Sequence, residues 1–528
     1  MKLFKWLTNT KTSFPAPSSN LSDKPVSFVP ASDESLADAA ISNRLAANRE
    51  RIDHTFINCS DIITLSWSYG SDMQYEAYSV YAKTLIQKKD FNAFKETLKD
   101  LVEGSPPPDV DVTPQTVSYY FSHHAASSKS ADIIESFPEA VDAILEGNIV
   151  IFFDQWNCAL SYKAVGLETR QVTESVTEPV VQGPRESTVE SISKNLGMLR
   201  LRLKSPDLKI ITLPPSGRTK TTVAYSYLQG AVNPEVLAEF ERRMTKLRDL
   251  DILETSYIEE ILEDSTYSPF PQFRYTERTD VATAALLEGK IIVLVDGTGS
   301  MLICPSFLVE MLQSSEDYYQ RTVVSSLIRL LRIFAVLIAL GLPSLYIAFS
   351  TFHSELIPTV LLIAVINSRE GIPFPAVIEA FIMEFLFELL REAGIRLPRP
   401  VGSAVSIVGA LVIGEASINA GIASPIMVII VALTGIASFA IPQYNFAYGL
   451  RLLRFPIMLF AAFLGIFGIL IAFLLIWLHL ATLRSLGQPY LSPIGPFYPK
   501  QMKDVFIRAP LRTLMRSPRM MKNDKPQH

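Results

Sequence analysis

Between Thr322 and Leu483 the chain is dominated by Leu, Ile, Ala, Val and Phe, whereas residues 1–321 carry most of the charge. A sequence divided in this way does not close around one core in water. Stretches of about 20 apolar residues match the hydrocarbon thickness of a bilayer, and the charged half has the mixed pattern of a soluble α/β fold. The chain-wide averages, 48% hydrophobic and 19% charged, describe neither half. The predicted architecture is therefore multi-domain. An α/β soluble N-terminal region of two subdomains is followed by an α-helical transmembrane bundle.

Five segments follow from the local patterns. Residues 1–32, rich in Ser, Pro, Lys and Asn without periodicity, read as a flexible arm. Residues 33–166 read as a first α/β subdomain and 167–321 as a second. In the first, Leu36–Arg51, Asp90–Val102 and Ala131–Leu145 suggest helices, the last interrupted or restarted at Pro138. Asp61–Trp67 and the apolar run Asn148–Asp154 suggest strands. In the second, Ser187–Leu203, Pro234–Leu247 and Asp280–Glu288 suggest helices, and Lys209–Leu213 and Thr221–Tyr227 strands. Lys290–Pro305 reads as a hairpin turning at Asp296-Gly297.

Residues 322–483 form the membrane segment, with four to six crossings. Thr322–Ser350, Ala404–Ala420, Ile426–Ile441 and Phe455–Leu483 are the clear spans, the last being the strongest. Leu356–Ile366 is short for a ~30 Å hydrocarbon layer, and Ala376–Arg391 is amphipathic. Residues 484–528 hold nine Lys or Arg against two Asp, a basic tail expected in the cytoplasm by the positive-inside tendency. MKLFKWLTNTKTSF lacks an apolar run of signal-peptide length, so both termini are expected inside. No repeat at a solenoid period and no inverted transporter-like duplication is visible.

Composition narrows the function. A net charge of −5 argues against a nucleic-acid binder. Cys59, Cys158 and Cys304 are few and widely spaced, without a disulfide framework or zinc spacing. Asp296-Gly297-Thr298-Gly299 is better explained as a turn than as a catalytic aspartate, and Gly217–Thr221 lacks P-loop glycine spacing. His123-His124 lacks companion ligands. With no nucleophile elbow, zinc-protease helix or dinucleotide fingerprint, neither an enzyme nor a cofactor is expected.

Three features of the membrane segment stand out. Glu384, Glu388 and Arg391 fall within about 60° of one helical face, with Glu379 off that arc. Carboxylates there either line a hydrated path that favours cations or sit on the wet face of a surface helix. Glu415 lies deep in an apolar stretch with Asn419 four residues on, facing the same side. It either serves ions or is interhelical glue, with Arg451 and Arg454 as candidate partners. Gly402, Ser406, Ala410 and Gly414, with Gly409, leave one helix face without bulk, suited to close packing or oligomerisation.

Several motifs resemble the A subunits of the GerA family, the germinant receptors of bacterial endospores, and their SpoVAF-type relatives. VVQGPRES at Val180–Ser187 resembles a family signature through Gly183, Pro184, Arg185 and Glu186. SPFPQFRYTERTD at Ser268–Asp280 is similar to another, through Pro269, Phe270, Pro271 and Gln272. QSSEDYYQR, FHSELIPT, PFPAVIEA, FELLREAGIRLPRPVG, the Val405–Phe439 stretch, RLLRF and LGQPYLSP follow in family order.

The resemblance implies a multi-pass subunit of the spore inner membrane, acting with a B-type transporter-like subunit and a C-type lipoprotein. It implies nutrient sensing, oligomerisation and a gated path for monovalent cations. Glu384, Glu388, Arg391, Glu415 and Asn419 are then candidates for the ion path or its gate, and replacing Glu384 and Glu388 together by Gln should spare assembly. The alternatives are a secondary transporter, which should show about ten spans or a repeat, and a non-conducting membrane scaffold.

Overall fold

The computed structural model describes residues 40–69, 73–86, 91–92, 113, 131–164, 166, 175, 177–215, 217–397, 409, 411–499 and 501–514. The expected arm at 1–32, the Asp90–Val102 helix beyond residue 92 and the His123-His124 pair lie outside these residues.

Helix α1 (Leu45–Thr55) opens the first subdomain. Strands β1 (Ile62–Tyr69), β2 (Tyr75–Ala82), β3 (Ala131–Ile134), β4 (Ile149–Phe153) and β5 (Ala159–Tyr162) form an antiparallel sheet in the order β1-β2-β4-β5-β3. Every residue of β4 is buried, because both sheet faces are covered. Ile52, Ile144 and Phe152 fill one side; Tyr69, Phe153 and Tyr162 fill the other. The expected helix over Ala131–Leu145 is corrected: Ala131–Ile134 is strand, and helix α2 (Phe137–Leu145) starts at the proline. Ser136 caps it by accepting from the Glu139 amide at 3.4 Å, so Pro138 sits in a first turn that needs no amide donor.

The second subdomain repeats this plan. Strands β6 (Leu208–Thr212), β7 (Val223–Leu228), β8 (Arg274–Thr276), β9 (Ile291–Val295) and β10 (Met301–Cys304) are ordered β6-β7-β9-β10-β8, the same topology with each number raised by five. Helix α3 (Ile192–Arg202) precedes β6 as α1 precedes β1. Helices α4 (Pro234–Met244) and α5 (Thr255–Leu262) lie between β7 and β8, and α6 (Thr279–Leu287) sits between β8 and β9 as α2 does between β3 and β4. The duplication escapes the sequence because the matching strands share apolar character but little residue identity. Helix α3 starts later than expected, because Ser187 to Ser191 is held extended by contacts to Glu277 and Asn195. The β9–β10 hairpin turns at Gly297, whose φ of +87° suits glycine.

The subdomains are joined firmly. Arg200 donates to both oxygens of Asp61 at 2.9 and 2.8 Å, with both side chains almost fully buried. The amide of Ser60 donates to the Ile210 carbonyl at 2.7 Å, which extends the second sheet at its β6 edge.

The C-terminal half is a bundle. Helix α7 (Thr322–Thr351) starts beside the second subdomain and ends at Phe352-His353. Helix α8 (Thr359–Ser368) is short, and α9 (Ala376–Arg396) runs back toward the sheets. Residues 411–419 are helical, with Gly409 against Leu390 at one end and Gly421 near the Gly371 carbonyl at the other. Helix α10 (Pro425–Phe439) returns again, with Ser424 beside Glu379 and Ser438 beside Arg391.

Helix α11 (Tyr444–Thr482) corrects the reading of one strong span over Phe455–Leu483. Gly465 leaves helical geometry with φ +59° and ψ −139°, and the chain folds back there. Phe270 lies 6.1 Å from the ring of Phe446 and 6.1 Å from that of His479. A straight helix would hold residues 446 and 479 about 50 Å apart. The two halves therefore form an antiparallel hairpin whose tip sits against Phe352 and His353. With α7, α9, residues 411–419 and α10, it makes six alternating passes among the described residues, starting and ending at the sheet side. Two of the described helices, Thr322–Thr351 and Tyr444–Thr482, are long and apolar enough to cross a membrane by length and composition.

Candidate functional site

The bundle meets the second subdomain through three sequence motifs. SPFPQ at Ser268–Gln272 forms the loop that touches the bundle. Phe270 packs between Phe446 and His479, and Ser268 Oγ lies 2.8 Å from His479 Nε2. Pro271 accepts from the Tyr490 hydroxyl at 2.8 Å. Gln272 is fully buried: its side chain spans the Asp264 amide and the Ser265 carbonyl, and its own carbonyl accepts from Ser485 Oγ at 2.7 Å. A Cβ added to Gly449 would overlap the Pro269 carbonyl oxygen, so the helix approaches the loop closely only because residue 449 is glycine. Gly449→Ala is expected to lift this loop off the bundle. Cysteine crosslinking between positions 268 and 479 should fall to background while α/β circular dichroism is retained.

Gly183 and Pro184 lie close to the segment that leads into the bundle. Pro184 accepts from Arg278 at 2.9 Å, and Arg278 also pairs with Asp280 at 2.8 Å. Asp280 in turn holds the Tyr319 hydroxyl. Gly183, at φ +125°, presses on the Tyr319 ring where a side chain would collide. Glu186 bonds Arg202 at 2.9 Å at the exposed edge.

Residues 484–514 are not a free basic tail. Strands β11 (Arg484–Ser485) and β12 (Gln488–Pro489) lie under the second sheet, and the following turns carry Asp504 to the base of α7. Arg329 donates to Asp317 at 3.0 Å and to Asp504 at 2.8 Å, and Arg332 donates to Asp317 at 2.8 Å. Tyr318 donates to Asp504 at 2.7 Å, and Arg508 reaches the Gln320 carbonyl at 2.6 Å. All five charged side chains are buried. None of these five residues is singled out on sequence alone. The available signal was Asp317 twelve residues ahead of Arg329, and Asp504 as a lone acid among basic residues.

Burial without paired cations shifts titration in this subdomain. It pushes the Glu259 carboxyl up to about 7 and the Glu263 carboxyl up to about 8, the latter helped by the negative charge of Glu259. Burial also raises the Cys304 thiol and the Tyr490 phenol.

Within the bundle, the Glu384, Glu388 and Arg391 face is an ion-pair network, which corrects the expectation of a hydrated acidic stripe or a wet surface face. Glu384, 2% exposed, pairs with Arg454. Arg454 also donates to the Ala339 carbonyl at 2.7 Å, tying α9, α11 and α7 together. Glu388 sits between Arg391 at 3.2 Å and Arg451 at 3.4 Å. Arg391 is held by Ser438 and lies 5.1 Å from the rings of Phe387 and Phe439. Arg451 and Arg454 are therefore committed to Glu388 and Glu384, not to Glu415. Glu379, off the arc, is fully buried and accepts from the Ser424 amide at 2.7 Å at the start of α10.

Glu415 and Asn419 are exposed on the bundle exterior beside Leu411, Val412 and Ile418, which are exposed too. The opposite side of that helix packs tightly: Gly414 lies against Val428, and Gly409 leaves room for Leu390. Gly402, Ser406 and Ala410 lie outside the described residues. Among the described residues, no group of three His, Cys, Asp or Glu could hold a metal ion.

The family model described as the Bacillus/Clostridium GerA spore germination protein matches residues 50–520. The chain is 41% identical over 487 residues to the uncharacterized membrane protein YfkQ of Bacillus subtilis, covering 92% of this chain and 93% of the relative. It is 40% identical over 471 residues to spore germination protein KA of the same organism, covering 89% and 85%. It is 40% identical over 383 residues to GerLA of Bacillus cereus, covering 72% and 78%. A crystal structure of the N-terminal domain of the A subunit of the Bacillus megaterium germinant receptor GerK3 aligns with 26% identity and a TM-score of 0.40, covering 51% of this chain and 98% of that one. The chain belongs to the GerA family of spore germination proteins.

Proposed function

We infer that this chain is the A-type subunit of a nutrient-sensing germinant receptor in the spore inner membrane, and that copies of its bundle assemble around a path for monovalent cations. Family membership supports the receptor role. Two long apolar helices support residence in a bilayer, with six crossings and both the sheets and the C-terminal arm on the cytoplasmic side. A B-type transporter-like subunit and a C-type lipoprotein are the partners, with nutrient binding assigned to the B-type subunit.

The observation that carries the conduction reading is Glu415. Its carboxylate stands on an otherwise apolar outer face, with Asn419 one turn away. Hydrocarbon does not tolerate an ionised group there, so the face meets water, an ion or a second copy. Around a symmetric ring, Glu415 would line the centre and favour cations. Glu384, Glu388 and Arg391 would act as a gate latch, holding α9 against α11 until a ligand-bound partner favours another packing.

Glu415→Gln in spores is expected to cut nutrient-triggered release of monovalent cations roughly tenfold, the factor given by removing about 1.4 kcal/mol of cation stabilisation. Protein level should stay at wild type. Release at the wild-type rate would remove Glu415 from the path.

A further inference from the structure

We propose that the C-terminal arm is a membrane-surface anchor, whose apolar and basic edge over residues 503–512 rests in the headgroup layer of a bilayer containing anionic lipid. The proposal rests on the bundle lying in a bilayer, as inferred above, and not on ion conduction.

Two contacts fix the arm against the first turns of α7. Asp504 accepts from Arg329 at 2.8 Å, and the Arg508 amide donates to Ser326 Oγ at 3.1 Å. The residues between them are therefore held at the level of Ser326 to Arg329, about 6–10 Å along the helix from Thr322 at about 1.5 Å per residue. Burial divides this segment sharply. Asp504, Val505 and Arg508 are buried against the protein, whereas Phe506 is 43% exposed and Ile507 is 61% exposed. Leu511 is exposed too.

Continuity and charge select the occupant. Val323 and Leu330 lie within about 60° of Ser326 around α7, and both are exposed. Phe506 and Ile507 therefore extend the apolar outer face of a helix long and apolar enough to cross a membrane. Their level on that helix matches the depth of about 5–10 Å at which interfacial segments bury their apolar side. Lys503 and Arg512 are exposed on either side of this apolar pair. The sequence adds Arg516, Arg519, Lys522 and Lys525 beyond them, against Asp524. Basic residues beside a membrane helix are drawn to anionic headgroups. An apolar protein surface would cover Phe506 and Ile507 but leave these cations unmatched. Lipid that holds the two apolar side chains also holds Asp504 and Arg508, and so steadies the clamp on α7.

The full-length protein would carry an environment-sensitive fluorophore at Ile507→Cys, with Cys158→Ser to remove the partly exposed native thiol. It would be placed in nanodiscs of phosphatidylcholine alone, or of equal parts phosphatidylcholine and phosphatidylglycerol. A separate label at Phe334→Cys, on the exposed outer face of α7, reports whether the bundle is in the bilayer. Spin-labelled lipid should quench position 334 equally in both discs. It should quench position 507 in the anionic discs and much less in the neutral ones. Lys503→Gln with Arg512→Gln should lower the ratio of inserted to lifted arm by about twenty- to thirtyfold, or about fivefold per cation. The inference is overturned if position 334 is quenched and position 507 is not. An unshifted emission would then place Ile507 in water, and a blue shift would place it under a protein segment. Quenching at 507 that ignores both lipid charge and the double substitution would overturn it as well. Absence of quenching at 334 would overturn bilayer residence, and the anchor with it.

Discussion

Arg454→Leu is expected to destabilise the bundle by about 3–5 kcal/mol, the usual consequence of removing one member of a buried ion pair. The loss would appear as little full-length protein surviving detergent extraction and a sharply lowered unfolding midpoint. Glu384 is 2% exposed, and Arg454 is its ion-pair partner. Without the guanidinium, the carboxylate is left in an apolar interior, and the Ala339 carbonyl loses the bond that ties α7 to the hairpin. Glu384→Gln with Arg454→Gln should recover most of the loss, because neither residue then carries an uncompensated charge. With the parent and the single variants Glu384→Gln and Arg454→Gln, the double variant completes a double-mutant cycle, and an interaction term near zero would show that the pair does not hold the bundle. Replacing Glu384 and Glu388 together by Gln, which on sequence alone should spare assembly, is now expected to impair it. Arg391, Arg451 and Arg454 would keep three buried positive charges without their carboxylates.

The second large effect is expected at Asp504. Its side chain accepts from Arg329 and Tyr318, and its carbonyl accepts from Gln313 and again from Arg329. Asp504→Ala removes the carboxylate but keeps the carbonyl contacts. A cost of about 3–5 kcal/mol to the docked arm is expected, since Arg329 is then buried with Asp317 as its remaining acid. Limited proteolysis should cut residues 490–510 rapidly in the variant and slowly in the parent. Asp504→Asn keeps one acceptor and should lie between the two. An arm equally resistant in all three proteins would dismiss the clamp.

What the sequence discloses follows the range of the interactions involved. Asn148–Asp154 and Lys290–Pro305 are legible because a buried strand and a Gly-centred hairpin are encoded in consecutive residues. Helix α7 is legible because thirty residues of one character have few alternative fates. Strand β2 went unnoticed: its Tyr, Ala and Ser residues acquire their burial from neighbours far along the chain. Ala131–Ile134 looked helical beside α2, yet its partner is β5, nearly thirty residues away. At the candidate site, the charged positions were visible and their pairing was not. Glu384 with Arg454 and Arg329 with Asp504 are separated by 70 and 175 residues, and periodicity within one helix carries no record of such partners. Motif order identified the Pro-Phe-Pro-Gln loop, but only the fold reveals that it rests on Gly449.

One glycine decides which way the last part of the chain travels. Were residue 465 to continue the helix, Tyr444–Thr482 would be a rod of about 58 Å. Tyr490, Asp504 and Arg508 would then be delivered to the far end, out of reach of Pro271 and Arg329. The parity of the passes, and with it the single handle through which the sheets can pull on both ends of the bundle's sequence, depends on a backbone angle that other residues rarely adopt.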